Sequence, residues 1–200
     1  MRFKEIKNQI ENLEIIGEGW RGIVYRGKLK GKDLAFKVAS EKQFIPNIQK
    51  EGKILKTVNR YGIGGKLFLT GEDFIAYQFI QGKPLKKVIN EKNGKIIISQ
   101  LLKQARILDK VGINKEEMHR PYTNVLVDNS LKVYLIDFER ARQGKNIQNV
   151  NQLLQFILTE GYRYLPPFDR EKLIDLAKVY KKSKTEKNFQ KILSFLGIKD

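Results

Sequence analysis

Between residues 11 and 40 apolar and polar side chains alternate, and glycines interrupt the runs: "LEIIGEG", "GIVYRGKL" and "DLAFKVA". A period of two with β-branched and aromatic residues puts alternate side chains on one face, so this stretch predicts an antiparallel sheet. The period then changes. In "IPNIQKEGKILKTVNRYGIGG" the residues Ile48, Ile54, Leu55 and Val58 share one side of a helix that stops at Gly62. Two short strands follow, "KLFLT" and "FIAYQFI", joined by a turn at "GED".

After "QGKPL" the pattern becomes mainly helical, and Gly82 and Pro84 mark a connection there. "IIISQLLKQARILDKVG" places Ile98, Leu101, Leu102, Ala105 and Leu108 on one face and ends at Gly112. "NVLVD" and "KVYLID" predict two brief strands around an "NS" turn. "NVNQLLQFIL", "DREKLIDLAKVYKK" and "EKNFQKILSFL" predict three helices, the first two separated by the breaker "YLPPF". The expected architecture is α+β in two lobes: residues 1–82, sheet-rich with one helix, and residues 83–200, mainly helical.

Composition narrows the class. The chain has 200 residues, 41% hydrophobic and 30% charged, enough to bury a core. No apolar run approaches the roughly 20 residues that span a bilayer, and the start lacks a secretory signal's apolar segment, so the expected location is the cytoplasm, away from membranes. Without cysteine there is no disulfide, iron–sulfur cluster or thiolate zinc site. A balance of 39 Lys and Arg against 22 Asp and Glu gives +17, which attracts polyanions such as RNA or ribosomal particles. A lysine-rich surface shaped by heat or solubility would have the same balance.

Candidate chemistry begins with Gly17, Gly19 and Gly22, followed by Val24: G-x-G-x-x-G-x-V. Glycine suits a loop whose N–H groups approach phosphate oxygens with no Cβ in the way. A dinucleotide-binding unit needs a helix after the glycines, whereas here another strand follows; a Walker loop needs G-K-[ST], which is missing. A glycine-punctuated hairpin is the plain alternative. Lys37, thirteen residues after Val24, lies between Phe36 and Val38 on a half-buried strand. There it needs a partner, and Glu51 on the following helix is the natural one. Asn124 opens one short strand and Asp137 ends the next, thirteen residues on.

In this order the parts resemble the protein kinase-like superfamily over nearly the whole chain. The glycine loop resembles the one that lies over ATP phosphates, "LAFKVA" the strand whose lysine pairs them, and "QFIQGKPL" a hinge. "HRPYTNVLVD…YLIDFERA" resembles the catalytic loop and metal site. The short length and the lack of an A-P-E motif make the chain similar to the minimal RIO-like kinases, in particular to small archaeal predicted serine/threonine kinases.

The resemblance implies a bilobal kinase-like fold, ATP and Mg²⁺. Gly17, Gly19, Gly22, Val24, Lys37 and Glu51 would serve the nucleotide, with backbone groups of Gln78 to Ile80 at the adenine. Asn124 and Asp137 would hold the metal. The usual H-R-D acid is replaced: His119 and Arg120 are followed by Pro121, and aligning "EMHRPYTN" with a "DLHPGN" loop gives the acid position to Glu117. Glu116 and His119 are the alternatives for that role, and His119 would otherwise brace the metal aspartate.

Asp137-Phe138-Glu139 replaces D-F-G, which predicts a fixed segment, with Glu139 pairing Arg140 or Arg142 as a surface acid or joining the metal. The implied activity is transfer of phosphate to a protein serine or threonine, with the chain itself or a bound partner as acceptor. A nucleotide-driven switch on RNA or a ribosomal particle, and a small-molecule kinase, are the other readings.

Overall fold

The computed structural model describes residues 1–199 and is α+β. The chain forms two compact units: Met1–Gln81 with Ile136–Arg140, and Gly82–Leu135 with the chain from Ala141 onward.

The first unit is built on a five-stranded antiparallel sheet in the order β1-β2-β3-β5-β4. Its strands are β1 (Glu11–Glu18), β2 (Gly22–Leu29), β3 (Lys32–Ala39), β4 (Leu67–Thr70) and β5 (Phe74–Gln78). Pleating sends Leu34 and Phe36 to one face, where they join Phe74 and Ala76 in an apolar cluster. That face is closed by α1 (Phe3–Ile6), a short helix that the amphipathic pattern does not reveal. Phe3 stacks on Tyr25 at 5.1 Å and meets Phe74 edge-on at 5.6 Å, while Ile6 and Ile10 complete the cluster. Asp73 fastens α1 to the β4–β5 turn by accepting the Phe3 N–H at 2.8 Å.

The opposite face carries Ala35, Lys37 and Ile75, against which α2 (Ile45–Val58) packs. Gly52 permits the close approach, because a Cβ there would lie 2.9 Å from Ile75 Cγ2. The helix passes into a 3₁₀ turn and ends at Gly62, whose φ of 71° is the left-handed value a helix stop favours.

In the second unit α3 (Gly94–Lys110) buries Ile97, Ile98, Leu101, Leu102, Ala105 and Leu108 completely. It packs on α4 (Asn149–Thr159), which packs on α5 (Arg170–Lys182), and that on α6 (Glu186–Phe195). Asp169 and Thr185 cap α5 and α6 by accepting the N–H of Lys172 and Asn188. A buried polar network ties α3, α4 and α5. Tyr180 donates to Asp109 at 2.9 Å and accepts from Arg106 at 3.1 Å, and Asn149 donates to Asp109 at 2.8 Å.

Two small sheets complete this unit. β6 (Gly82–Pro84), β8 (Val125–Asp128) and β9 (Val133–Leu135) form one, and β7 (Ile113–Asn114) pairs with β10 (Arg142–Gln143) in the other. The strands β6, β7 and β10 are too short to have a readable alternation of their own. Contrary to the sequence reading, Asp137 does not end a strand: β9 stops at Leu135, and Asp137 follows with a φ of 58°. Among the described residues no helix is long and apolar enough to cross a membrane.

Candidate functional site

The register of the first sheet sets the site. Val24 on β2 and Ile75 on β5 lie opposite Lys37 on β3, so the lysine sits mid-sheet on the face that α2 covers. Lys37 is 7% exposed, and its ammonium lies 2.7 Å from Glu51 Oε2, 3.1 Å from Asp137 Oδ1 and 3.2 Å from Glu139 Oε2. An ammonium has three N–H groups, and three carboxylates face them. Burial works against the Lys37 charge, but the pull of Glu51 and Asp137 outweighs it and holds the group above the ordinary lysine range.

Burial pushes the Glu51 carboxyl up, against the opposing pull of Lys37 and of the Phe138 N–H, which donates to Glu51 Oε1 at 3.1 Å. Glu51 therefore fixes both the lysine and the backbone just after Asp137. Asp137 adopts a left-handed conformation uncommon for a side-chain-bearing residue, and its neighbour Phe138 is buried. The side chain of Asp137 is 47% exposed, compared with 5% for Glu51.

Glu139 departs from expectation. Beyond the surface-acid reading, it pairs with Arg21, at 2.5 Å, and with Lys37. Arg142 instead meets Glu116 at 2.8 Å. Arg21 lies between Gly19 and Gly22, and the sequence reading passed over it. The only available signal was a cation inside the glycine stretch, which has no meaning until its partner, 118 residues away, is known.

The three glycines are not equivalent. At Gly22 a Cβ would lie 2.9 Å from the Val38 carbonyl oxygen, so close strand approach explains that glycine. At Gly17 and Gly19 the nearest atoms to a Cβ are 3.9 and 3.6 Å away, in ordinary contact, and neither residue has a positive φ. Folding alone does not require glycine there. At the expected hinge, Gln78 is exposed and Ile80 is buried; the N–H groups of Gln78 and Phe79 donate to Lys66 and Asp33 at 2.8 and 3.1 Å.

Oxygen donors suited to a hard cation are present. One carboxylate oxygen from each of Glu51, Asp137 and Glu139 lies within 4.8 Å of the others. Glu51 is committed to Lys37 and Phe138, and Glu139 to Lys37 and Arg21, so Asp137, with its side chain 47% exposed, is the most accessible acid of the three.

In the second unit Glu116 and Glu117 both adopt left-handed conformations, with φ of 66° and 56°. Such backbone costs about 1–3 kcal/mol per residue and persists only where surroundings impose it. The surroundings are visible: Asn149 accepts from Lys115 N at 2.8 Å and Gln152 accepts from Met118 N at 3.0 Å, gripping the loop from one turn of α4. Glu117 then accepts from Asn124 Nδ2 at 2.9 Å, while Glu116 accepts from Asn114 and pairs with Arg142. The loop thus joins Glu117 to Asn124 and turns Glu116 elsewhere. His119 is half-buried.

No protein-family model matches the chain. Among curated proteins it is similar to one from Bacillus subtilis (strain 168) named "Putative serine/threonine-protein kinase YrzF", with 28% identity over 153 residues. The matched region covers 72% of this chain and 66% of that protein, just under two thirds of its length. The match suggests a kinase-like family.

Proposed function

We infer that the chain is an ATP- and Mg²⁺-dependent phosphotransferase with a bilobal kinase-like fold, of the RIO-like kind, acting on a protein serine or threonine or on itself. One observation carries this reading. A buried lysine pinned by Glu51 sits beside Asp137, in the unit whose loop keeps glycine at two positions where folding does not demand it. On this reading Gly17 and Gly19 admit phosphate oxygens to backbone N–H groups, and Lys37 is a phosphate-binding cation with a charge that does not lapse at neutral pH.

Asp137 and Asn124 would hold the metal, which when bound neutralises charge on the transferring phosphate. Glu117 orients the acceptor hydroxyl; its bond to Asn124 favours it over Glu116, whose carboxylate Arg142 occupies. The acceptor oxygen bonds to the γ-phosphorus, the bond to the β–γ bridging oxygen breaks, and the hydroxyl proton leaves toward Glu117. The similarity to the B. subtilis protein supports the coarser part of this reading, a kinase-type phosphotransferase.

The test is transfer of labelled γ-phosphate from Mg-ATP by the purified chain and its Asp137→Ala form, with protein-bound label and free phosphate counted separately. Label on protein that falls at least a hundredfold in the variant is expected. Undiminished transfer by Asp137→Ala overturns the reading. The net charge of +17 favours a second reading, a nucleotide-driven cytoplasmic switch on RNA or a ribosomal particle. Free phosphate released faster with RNA, and no labelled protein, would select it.

A further inference from the structure

Glu139 holds two cations, Arg21 at 2.5 Å and Lys37 at 3.2 Å. One cation belongs to the glycine loop and the other to the sheet beneath it, and the Glu139 side chain is only 15% exposed. The three Lys37 N–H groups already face carboxylates, so a phosphate oxygen reaching Lys37 has to replace one of them. Glu51 is the least able to leave, being 5% exposed and bonded to the Phe138 N–H as well. Glu139 is more readily displaced than Glu51: its second partner, Arg21, is itself 35% exposed and sits in the loop between Gly19 and Gly22.

An anionic group bridging two cations beside a phosphate cradle does electrostatically what a phosphate would do. We propose that Arg21 is a second polyphosphate-binding cation of the glycine loop and that Glu139 is its built-in competitor, holding Arg21 and Lys37 until a polyphosphate displaces it. This proposal rests on the phosphotransferase reading but adds a selectivity that the reading lacks. A ligand with several adjacent phosphates can take both cations at once, whereas a monophosphate takes one and leaves Glu139 repelling it. The site therefore discriminates by the number of phosphates.

Trp20, the chain's single tryptophan, adjoins Arg21 and is 85% exposed, so its fluorescence reports on the loop directly. The experiment titrates inorganic tripolyphosphate and ATP, each with EDTA and again with Mg²⁺, into the full chain and its Glu139→Gln and Arg21→Gln forms. Calorimetry provides a second readout, and circular dichroism checks folding. Without metal, Glu139→Gln should bind tripolyphosphate about threefold to tenfold more tightly, and Arg21→Gln more weakly by a similar factor, as expected for one charge removed at close range near a surface. The doubly substituted chain should bind more tightly than Arg21→Gln, because Glu139 no longer masks Lys37, and more weakly than Glu139→Gln, which keeps both cations.

If the ion pair is only a strut bracing the loop, both single substitutions weaken binding; that result, or no change in either, overturns the proposal while leaving the phosphotransferase reading in place. Failure of the unaltered chain to bind Mg-ATP at millimolar concentration overturns both.

Discussion

Replacing Lys37 with Met removes an ammonium and keeps most of the buried stem, so the consequence falls on Glu51. Its Oε2 lies 2.7 Å from the lost charge and its side chain is 5% exposed. At an effective dielectric constant near 20 the lost attraction is about 6 kcal/mol, but the carboxylate can escape by taking a proton. Protonating a group of ordinary value near 4.3 at pH 7 costs about 3.7 kcal/mol, which caps the loss. Removal of one partner from buried pairs costs a similar amount, about 3–5 kcal/mol. Burial already pushes the Glu51 carboxyl up, and without Lys37 it rises further.

With a native value above the unfolded one, the native state binds more protons between the two, and stability falls as pH rises through that window. Lys37→Met should therefore lose at most about 3.7 kcal/mol at pH 7 and at most about 1.4 kcal/mol at pH 5.3, both relative to the unaltered chain at the same pH, where burial of Glu51 already carries part of the cost. Urea unfolding followed by circular dichroism at the two pH values measures this. Adding Glu51→Gln to Lys37→Met should remove the pH dependence. A loss below about 1 kcal/mol at pH 7, or an equal loss at both pH values, would refute the buried-pair reasoning.

Gly22→Ala should cost about 1–3 kcal/mol in thermal or urea unfolding, because its Cβ would press on the Val38 carbonyl oxygen at 2.9 Å. Gly19→Ala should leave stability within about 0.5 kcal/mol and weaken Mg-ATP binding, measured by Trp20 fluorescence; equal effects of the two on stability would contradict the distinction drawn between them. In the second unit, Tyr180→Phe removes a fully buried hydroxyl that donates to Asp109 and accepts from Arg106, and should cost about 1–3 kcal/mol.

The element types were legible wherever a pattern repeated within one segment. Alternation in "DLAFKVA" placed Phe36 and Lys37 on opposite faces of a strand, and helical spacing chose five α3 residues that are all fully buried. Such patterns are local: they say which side of an element is apolar, and solvent exclusion then decides which way it turns. Phe3 and Ile6 escaped because a four-residue helix is too short to show a period, although Phe3 fills the centre of the sheet's apolar face. The strands of β7 and β10 escaped because two residues become a strand only when a partner is present.

The candidate site divides in the same way. The glycine spacing, Lys37, Glu51, Asn124 and Asp137 are visible as residue types in order along the chain. That Gly22 serves strand packing whereas Gly17 and Gly19 do not is visible only in the distances a Cβ would meet. The return of Ile136–Arg140 to the first unit, and with it the capture of Arg21 and Lys37 by Glu139, joins residues 118 and 102 positions apart. Sequence lists the charges; which of them meet is decided by strand register, by the α2 packing that places Glu51, and by the left-handed turn at Asp137. Only the folded chain sets those three together, because the pairing energy of a charge depends on its burial and on distances of a few ångströms, which separation along a chain does not encode.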